Sequence, residues 1–129
     1  MNSYAINSIN KTQVKKARTC LKRIQTFPEI IGGFLFHKKK GILKNNMPGL
    51  LKEKDLEFLG NILTQSFSAG RSCYPDANKM VLIIYKKNIV LKMIGPDLAL
   101  IIVCKTYPLS KQITDQLLYL TSNHKAQEL

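Results

Sequence analysis

Few residues of this 129-residue chain are of types that do chemistry, and their spacing argues against a reaction. The eight carboxylates are Glu29, Glu53, Asp55, Glu57, Asp76, Asp97, Asp115 and Glu128. Asp76 and Asp97 stand in Pro-Asp-Ala and Gly-Pro-Asp contexts, where turn formation accounts for them. Glu53, Asp55 and Glu57 fall in or near the first turn of an expected helix, where a carboxylate favours the positive end of the dipole. None makes a general acid and base pair with another. His37 precedes the lysine run 38–40 and His124 is near the chain end, each without an evident triad or metal partner. Cys20, Cys73 and Cys104 are far apart, and without a Cys-x-x-Cys or a Cys/His cluster a zinc site is not expected. They read as reduced thiols of a cytoplasmic protein. Cys20 and Cys104 have apolar neighbours and should be packed, whereas Cys73 sits in a loop-like stretch and should be exposed. Gly32-Gly33 leads into a strand rather than a helix, and Gly-Lys-Ser/Thr is absent, so no phosphate loop is expected. Glycines at a strand start more often permit close backbone approach or a bulge. The expectation is no catalytic residue, no metal and no cofactor.

The elements around these residues follow from periodicity. In residues 11–26, Val14, Ala17, Leu21 and Ile24 share one helical face. Asn10 is the expected N-cap, and Phe27-Pro28 the stop. Residues 31–43 read as a hairpin with its tip at Lys38-Lys39-Lys40-Gly41. A helix over 53–68 follows, with Leu56, Leu59, Leu63 and Phe67 as its stripe and Phe58 and Ile62 widening it. Residues 69–78 have loop composition. Three strands at 79–85, 89–94 and 98–105 are joined too tightly for parallel crossovers, so they form an antiparallel meander. Residues 98–104 are apolar throughout, which places that strand centrally between covered faces. Ser110 caps a last helix reaching about residue 123. The order α-β-β-α-β-β-β-α defines an α+β class: a five-stranded antiparallel sheet, last strand central, helices on both faces. One domain over 11–123 is flanked by a polar arm, 1–10, and a tail, 124–129.

Two features point outward. The 53–68 helix has a wider apolar face than one sheet surface requires, so it is either deeply buried or meets a partner on its second flank. The charge of +12 is concentrated between Lys11 and Lys54, where twelve Lys/Arg oppose Glu29 and Glu53. The basic surface includes Lys15, Lys16, Lys22, Arg23, Lys38, Lys39 and Lys40. Such a field attracts an acidic protein face, an anionic membrane surface or nucleic acid. Nucleic acid is disfavoured, because the basic helix has no interleaved aromatic and the strands lack an RNA-recognition signature.

From Thr12 to Asn123 the chain resembles the roadblock family, small domains related to longin and profilin-like folds. The resemblance rests on the helix ending in Phe27-Pro28-Glu29-Ile30-Ile31-Gly32-Gly33-Phe34-Leu35-Phe36, similar to the family's proline-x-hydrophobic-x-glycine-hydrophobic lead into strand one. The charged-Gly hairpin tip, the amphipathic helix and the meander then follow in order. The lysine-heavy hairpin and the very basic first helix depart from the family pattern. The resemblance implies a homodimer or a heterodimer with a paralogous roadblock protein. Its interface would use Met80, Val81, Leu82, Ile83 and Ile84 of the edge strand, with Phe58 and Ile62 of the second helix. It further implies a regulatory or scaffolding role toward a small Ras-like GTPase, in the cytoplasm or peripherally at a membrane. Partner-binding candidates are Lys54, Glu57, Asn61, Gln65 and Arg71, the last as a loop arginine after the helix.

Overall fold

A computed structural model describes residues 11–49, 52–84 and 87–121. Helix α1 spans Lys11–Ile24, strand β1 Ile30–His37, strand β2 Gly41–Asn45 and helix α2 Glu53–Cys73. Strands β3, β4 and β5 span Lys79–Ile84, Lys87–Met93 and Leu98–Cys104, and helix α3 spans Lys111–Thr121. The sheet order is β2-β1-β5-β4-β3, and every neighbouring pair is antiparallel.

β5 is the middle strand, as its unbroken apolar sequence requires. Leu98, Leu100, Ile102 and Cys104 enter one core with α1 and α3, through Ala17, Leu21, Ile24, Ile113 and Leu117. Ala99 and Ile101 enter a second core with Phe34, Phe36 and the α2 residues Leu56, Leu63 and Phe67. The sheet therefore separates two cores, one under a pair of helices and one under a single helix. Cys20 and Cys104 are buried and Cys73 is exposed, all three with free thiols. Burial pushes the thiols of Cys20 and Cys104 up to about 11, so neither forms the reactive thiolate at neutral pH.

The glycine pair serves both expected purposes. The β1–β5 register shifts between Ile30 and Gly32. A Cβ on Gly33 would meet Leu21 Cδ1 at 2.7 Å, and one on Gly32 would meet the Asn46 carbonyl oxygen at 2.9 Å. Gly41 turns the hairpin at φ +84, a left-handed backbone that a Cβ disfavours.

Several boundaries differ from expectation. α2 continues to Cys73, so residues 69–73 are helix and not loop. Their small, exposed side chains resemble a loop in composition, but no proline interrupts them before Pro75. The Tyr74 N–H still donates to the Gly70 carbonyl at 2.9 Å, and the helix ends at Tyr74-Pro75 as α1 ends before Pro28. β4 starts at Lys87, two residues earlier than expected, and Lys87 pairs with Ile84. α1 stops at Ile24 and gives way to a turn at Gln25-Thr26. Ser110 caps α3, its Oγ accepting the Ile113 N–H at 3.5 Å. The Asn10 cap, the arm 1–10, Tyr85 and the tail 124–129 lie outside the described residues.

Two glycines of α2 yield opposite expectations. A Cβ on Gly60 would lie 2.7 Å from the buried Phe36 ring, whereas one on Gly70 meets nothing within 4 Å. Alanine gains about 1 kcal/mol of helix propensity at either position, but overpacking at Gly60 costs about 1–3 kcal/mol. In urea unfolding, Gly60→Ala lowers the midpoint and Gly70→Ala raises it.

Candidate functional site

The two edges of the sheet differ. β2 is short, and its pairing with β1 is irregular between Leu35 and Phe36. Its Leu43 carbonyl accepts from the Arg18 guanidinium at 3.2 Å, and it ends in exposed Lys44 and Asn45. Short length, a bulge and charge blunt an edge against further pairing. β3 has none of these protections over Met80–Ile84. It pairs with β4 in six unbroken steps from Lys79↔Lys92 to Ile84↔Lys87, and among the described residues no strand pairs with its other side.

The edge residues divide by strand alternation. Met80 packs against the α2-side core and Val81 against the α1/α3-side core. Leu82 is 39% exposed and Ile83 66% exposed, one on each side of the sheet. For Ile84 the backbone pairing alone is described.

α2 presents a second apolar surface. Leu56, Gly60, Leu63, Thr64 and Phe67 are its buried stripe. At about 100° per residue, Phe58 falls nearly opposite that stripe with Ile62 beside it. They are 68% and 42% exposed. Deep burial of the wide face is thereby excluded, and the outward flank is an exposed apolar patch.

The polar candidates on α2 go to different places. Asn61 and Gln65 line a shallow cavity of ≈ 270 Å³ with Lys38, Thr64 and Ser68. Glu57 lies against the hairpin tip, where a Cβ on Gly41 would be 2.5 Å from its Oε2. Lys54 is exposed on the first turn. Arg71 is not a loop residue: it belongs to the last turn of α2, and its guanidinium donates to the Pro75 carbonyl at 2.9 and 3.3 Å. It closes the helix end and also lies over the Phe67 ring, 6.0 Å from the centroid.

The basic segment is split by the fold. Lys15, Lys16 and Arg23 line a ≈ 270 Å³ groove between α1 and α3, with Thr12, Thr19, Gln116 and Tyr119. Lys16 stands 4.5 Å from the centre of the Tyr119 ring. Lys22 is exposed on α1 outside that lining. Lys38 is beside α2, across the sheet. Lys39 is 3.9 Å from Asp97, a long and exposed pairing of little energetic weight, and Lys40 is exposed at the tip.

His37 has a structural task that sequence reasoning missed. Its Nδ1 accepts the backbone N–H groups of Lys39 at 3.1 Å and Lys40 at 3.2 Å, so it organises the lysine-rich turn. A histidine preceding a tight turn was the available signal. Among the described residues no three His, Cys, Asp or Glu side chains group to hold a metal. No helix among them is long and apolar enough to cross a membrane.

This sheet order, with two of the described helices on one face and one on the other, defines an α+β domain whose distinctive surface is an open apolar edge. The fold is roadblock-like, and solved structures match it over most of their length. A Roadblock/LC7 domain from Streptomyces avermitilis matches with TM-score 0.61 and 11% identity, over 85% of this chain and 95% of that one. The gliding protein MglB of Thermus thermophilus matches with TM-score 0.62 and 12% identity, over 91% and 93%. Myxococcus xanthus MglB matches with TM-score 0.62 and 12% identity, over 89% and 97%. No protein-family model matches the chain, and no curated protein matches its sequence.

The His37 contacts make stability pH-dependent. Burial lowers its pKa, Asp97 partly opposes this, and Lys40 and Lys39 add smaller downward pushes. The folded ring favours its neutral form, so the unfolded chain takes up a proton first and stability falls with pH below the ordinary value of about 6.5. Between about pH 7.5 and pH 5 the urea midpoint drops more in the wild type than in His37→Asn, whose amide oxygen accepts without titrating.

Proposed function

We propose that the protein is a non-catalytic, dimeric regulatory or scaffolding subunit that binds a small Ras-like GTPase and modulates its activity or location. The observation that carries this reading is the open β3 edge, with Leu82 and Ile83 exposed and no protective charge across Met80–Ile84. An edge of that kind is stable in solution when it is paired. Pairing with a second copy, or with a paralogous chain, extends the sheet and brings two α2 helices to one side of it. Phe58 and Ile62 then contribute to the helix-to-helix contact, while Lys54, Glu57, Asn61 and Gln65 face the GTPase. Arg71, held at the helix end, positions the following loop rather than acting as an arginine finger. Any change in hydrolysis rate comes from reshaping the GTPase's own switch regions. The roadblock-like fold supports the partner class, and the reduced cysteines fit a cytoplasmic setting.

The solution mass of the purified chain tests the first step. Twice the 14.6 kDa chain mass is expected for the wild type, and a monomer for Ile83→Lys. A wild-type monomer at high micromolar concentration removes the basis for the reading. Pull-downs and GTP-hydrolysis assays with the Ras-like GTPases of the same genome test the second. Binding to at least one of them is expected, weakened in Asn61→Ala and Gln65→Ala.

A second reading, a basic adaptor for an anionic membrane surface, is favoured by α1 itself. The helix has Lys11, Lys15, Lys16, Arg18, Lys22 and Arg23 and no acidic residue. Attraction of this kind is worth about 1 kcal/mol per basic residue near the surface and fades with salt. Co-sedimentation with phosphatidylserine vesicles at low salt is the expected result, reduced by Lys15→Glu with Lys22→Glu. No sedimentation at low salt eliminates this reading and leaves the GTPase reading intact.

A further inference from the structure

β3 and β4 set two lysines directly opposite each other. Lys79 and Lys92 are cross-strand partners. They point to the α1/α3 side, as do Val81 and Val90, two residues from each. Like charges so placed repel. Lys92 is 2% exposed, and a buried ammonium is costly unless it is paired and hydrogen-bonded. Among the described residues Lys92 has no carboxylate or acceptor. The ion pairs there are Lys39–Asp97 and Lys111–Asp115, and the charge acting on Lys92 is that of Lys79. Burial, then Lys79, pulls the Lys92 pKa below its ordinary value. Lys79 itself rests over the Tyr107 ring, 5.7 Å from the centroid.

Both lysines open on one cavity of ≈ 280 Å³, bounded on the helix side by Tyr107, Thr114, Leu117 and Leu118. No fully buried polar side-chain atom of the described residues lacks a partner, so the Lys92 ammonium keeps slight contact with solvent, and Lys92 is part of the cavity wall. The chamber wall combines two cations, the Asn78 amide and the Thr114 and Tyr107 hydroxyls with the apolar side chains of Pro108, Leu109, Leu117 and Leu118. Its volume is just under the range of about 300–1,000 Å³ typical of small-molecule sites, which suits a metabolite-sized body and not a folded segment.

We propose that this cavity binds a small amphipathic anion. A carboxylate or phosphate head sits between Lys92 and Lys79, and a short chain or ring lies against Leu117, Leu118 and the Tyr107 ring. The anion supplies the countercharge that the protein does not, and Thr114 offers its hydroxyl as a further donor. The site lies on the α1/α3 side of the sheet, away from the outward face of α2, and does not depend on the GTPase reading.

The test titrates the full chain with octanoate, benzoate and inorganic phosphate, by calorimetry and thermal unfolding. Octanoate or benzoate is expected to bind more tightly than phosphate and to raise the Tm of the wild type. Lys92→Met, close to lysine in length, is expected to weaken binding at least about tenfold through loss of charge-assisted hydrogen bonds. Without ligand it should have a higher Tm than the wild type, because it removes a largely desolvated charge that has no countercharge. Lys39→Met, outside the cavity, should bind as the wild type does. Three results overturn the site: no binding of any of the three anions at millimolar concentration, equal binding by Lys92→Met, or a ligand-free Lys92→Met less stable than the wild type. Phosphate binding as tightly as the organic anions overturns its amphipathic character.

Discussion

A strand with no polar face must be covered on both sides, and β5 is such a strand. Residues 98–104 offer apolar side chains upward and downward in alternation, so the sheet needs helices on both faces before β5 is stable anywhere but the middle. β1 and β4 flank it. β3 precedes β4 by two residues of sequence and pairs with it on the side away from β5, which leaves β3 outermost. The open edge is thus a consequence of burying β5. Its two inward-anchored residues, Met80 and Val81, hold it flat against β4.

The same constraint explains why so much of the fold was legible. Element order, the central position of β5 and the helices on both faces follow from apolar runs and short connections, and the edge position of the 79–84 strand from the roadblock resemblance. What stayed hidden was decided by single residues. The composition of 69–73 concealed five residues of helix, because exposed Ser, Ala and Gly look alike in a loop and on a helix surface. The stop at Tyr74-Pro75 was the informative signal. Phe58 and Ile62 were legible as an excess of apolar surface, although sequence could not tell deep burial from outward exposure. The basic segment seemed continuous because sequence distance ignores the sheet between Lys15 and Lys38. Lys92 was illegible, since one lysine in an apolar strand gives no indication that its neighbour across the hairpin is Lys79.

Each face of the sheet has its own mixture of charge and apolar surface. The α1/α3 side has the cationic groove and the cavity beneath Lys79 and Lys92, and the α2 side has Phe58, Ile62 and the Asn61–Gln65 cavity. β3 contributes to both, with Lys79 and Ile83 on one side and Leu82 on the other. Any partner that extends the sheet meets both surfaces at that seam.

The partition of the interior into two cores has an evolutionary consequence. Substitutions that share no neighbours act nearly additively, and the sheet keeps Leu21, Ile24 and Ile113 out of contact with Leu56, Leu63 and Phe67. Each half can drift and repack on its own, without a compensating change on the far side. A fold built in this way is compatible with very different sequences, and the roadblock-like structures that match this one do so at 11–12% identity.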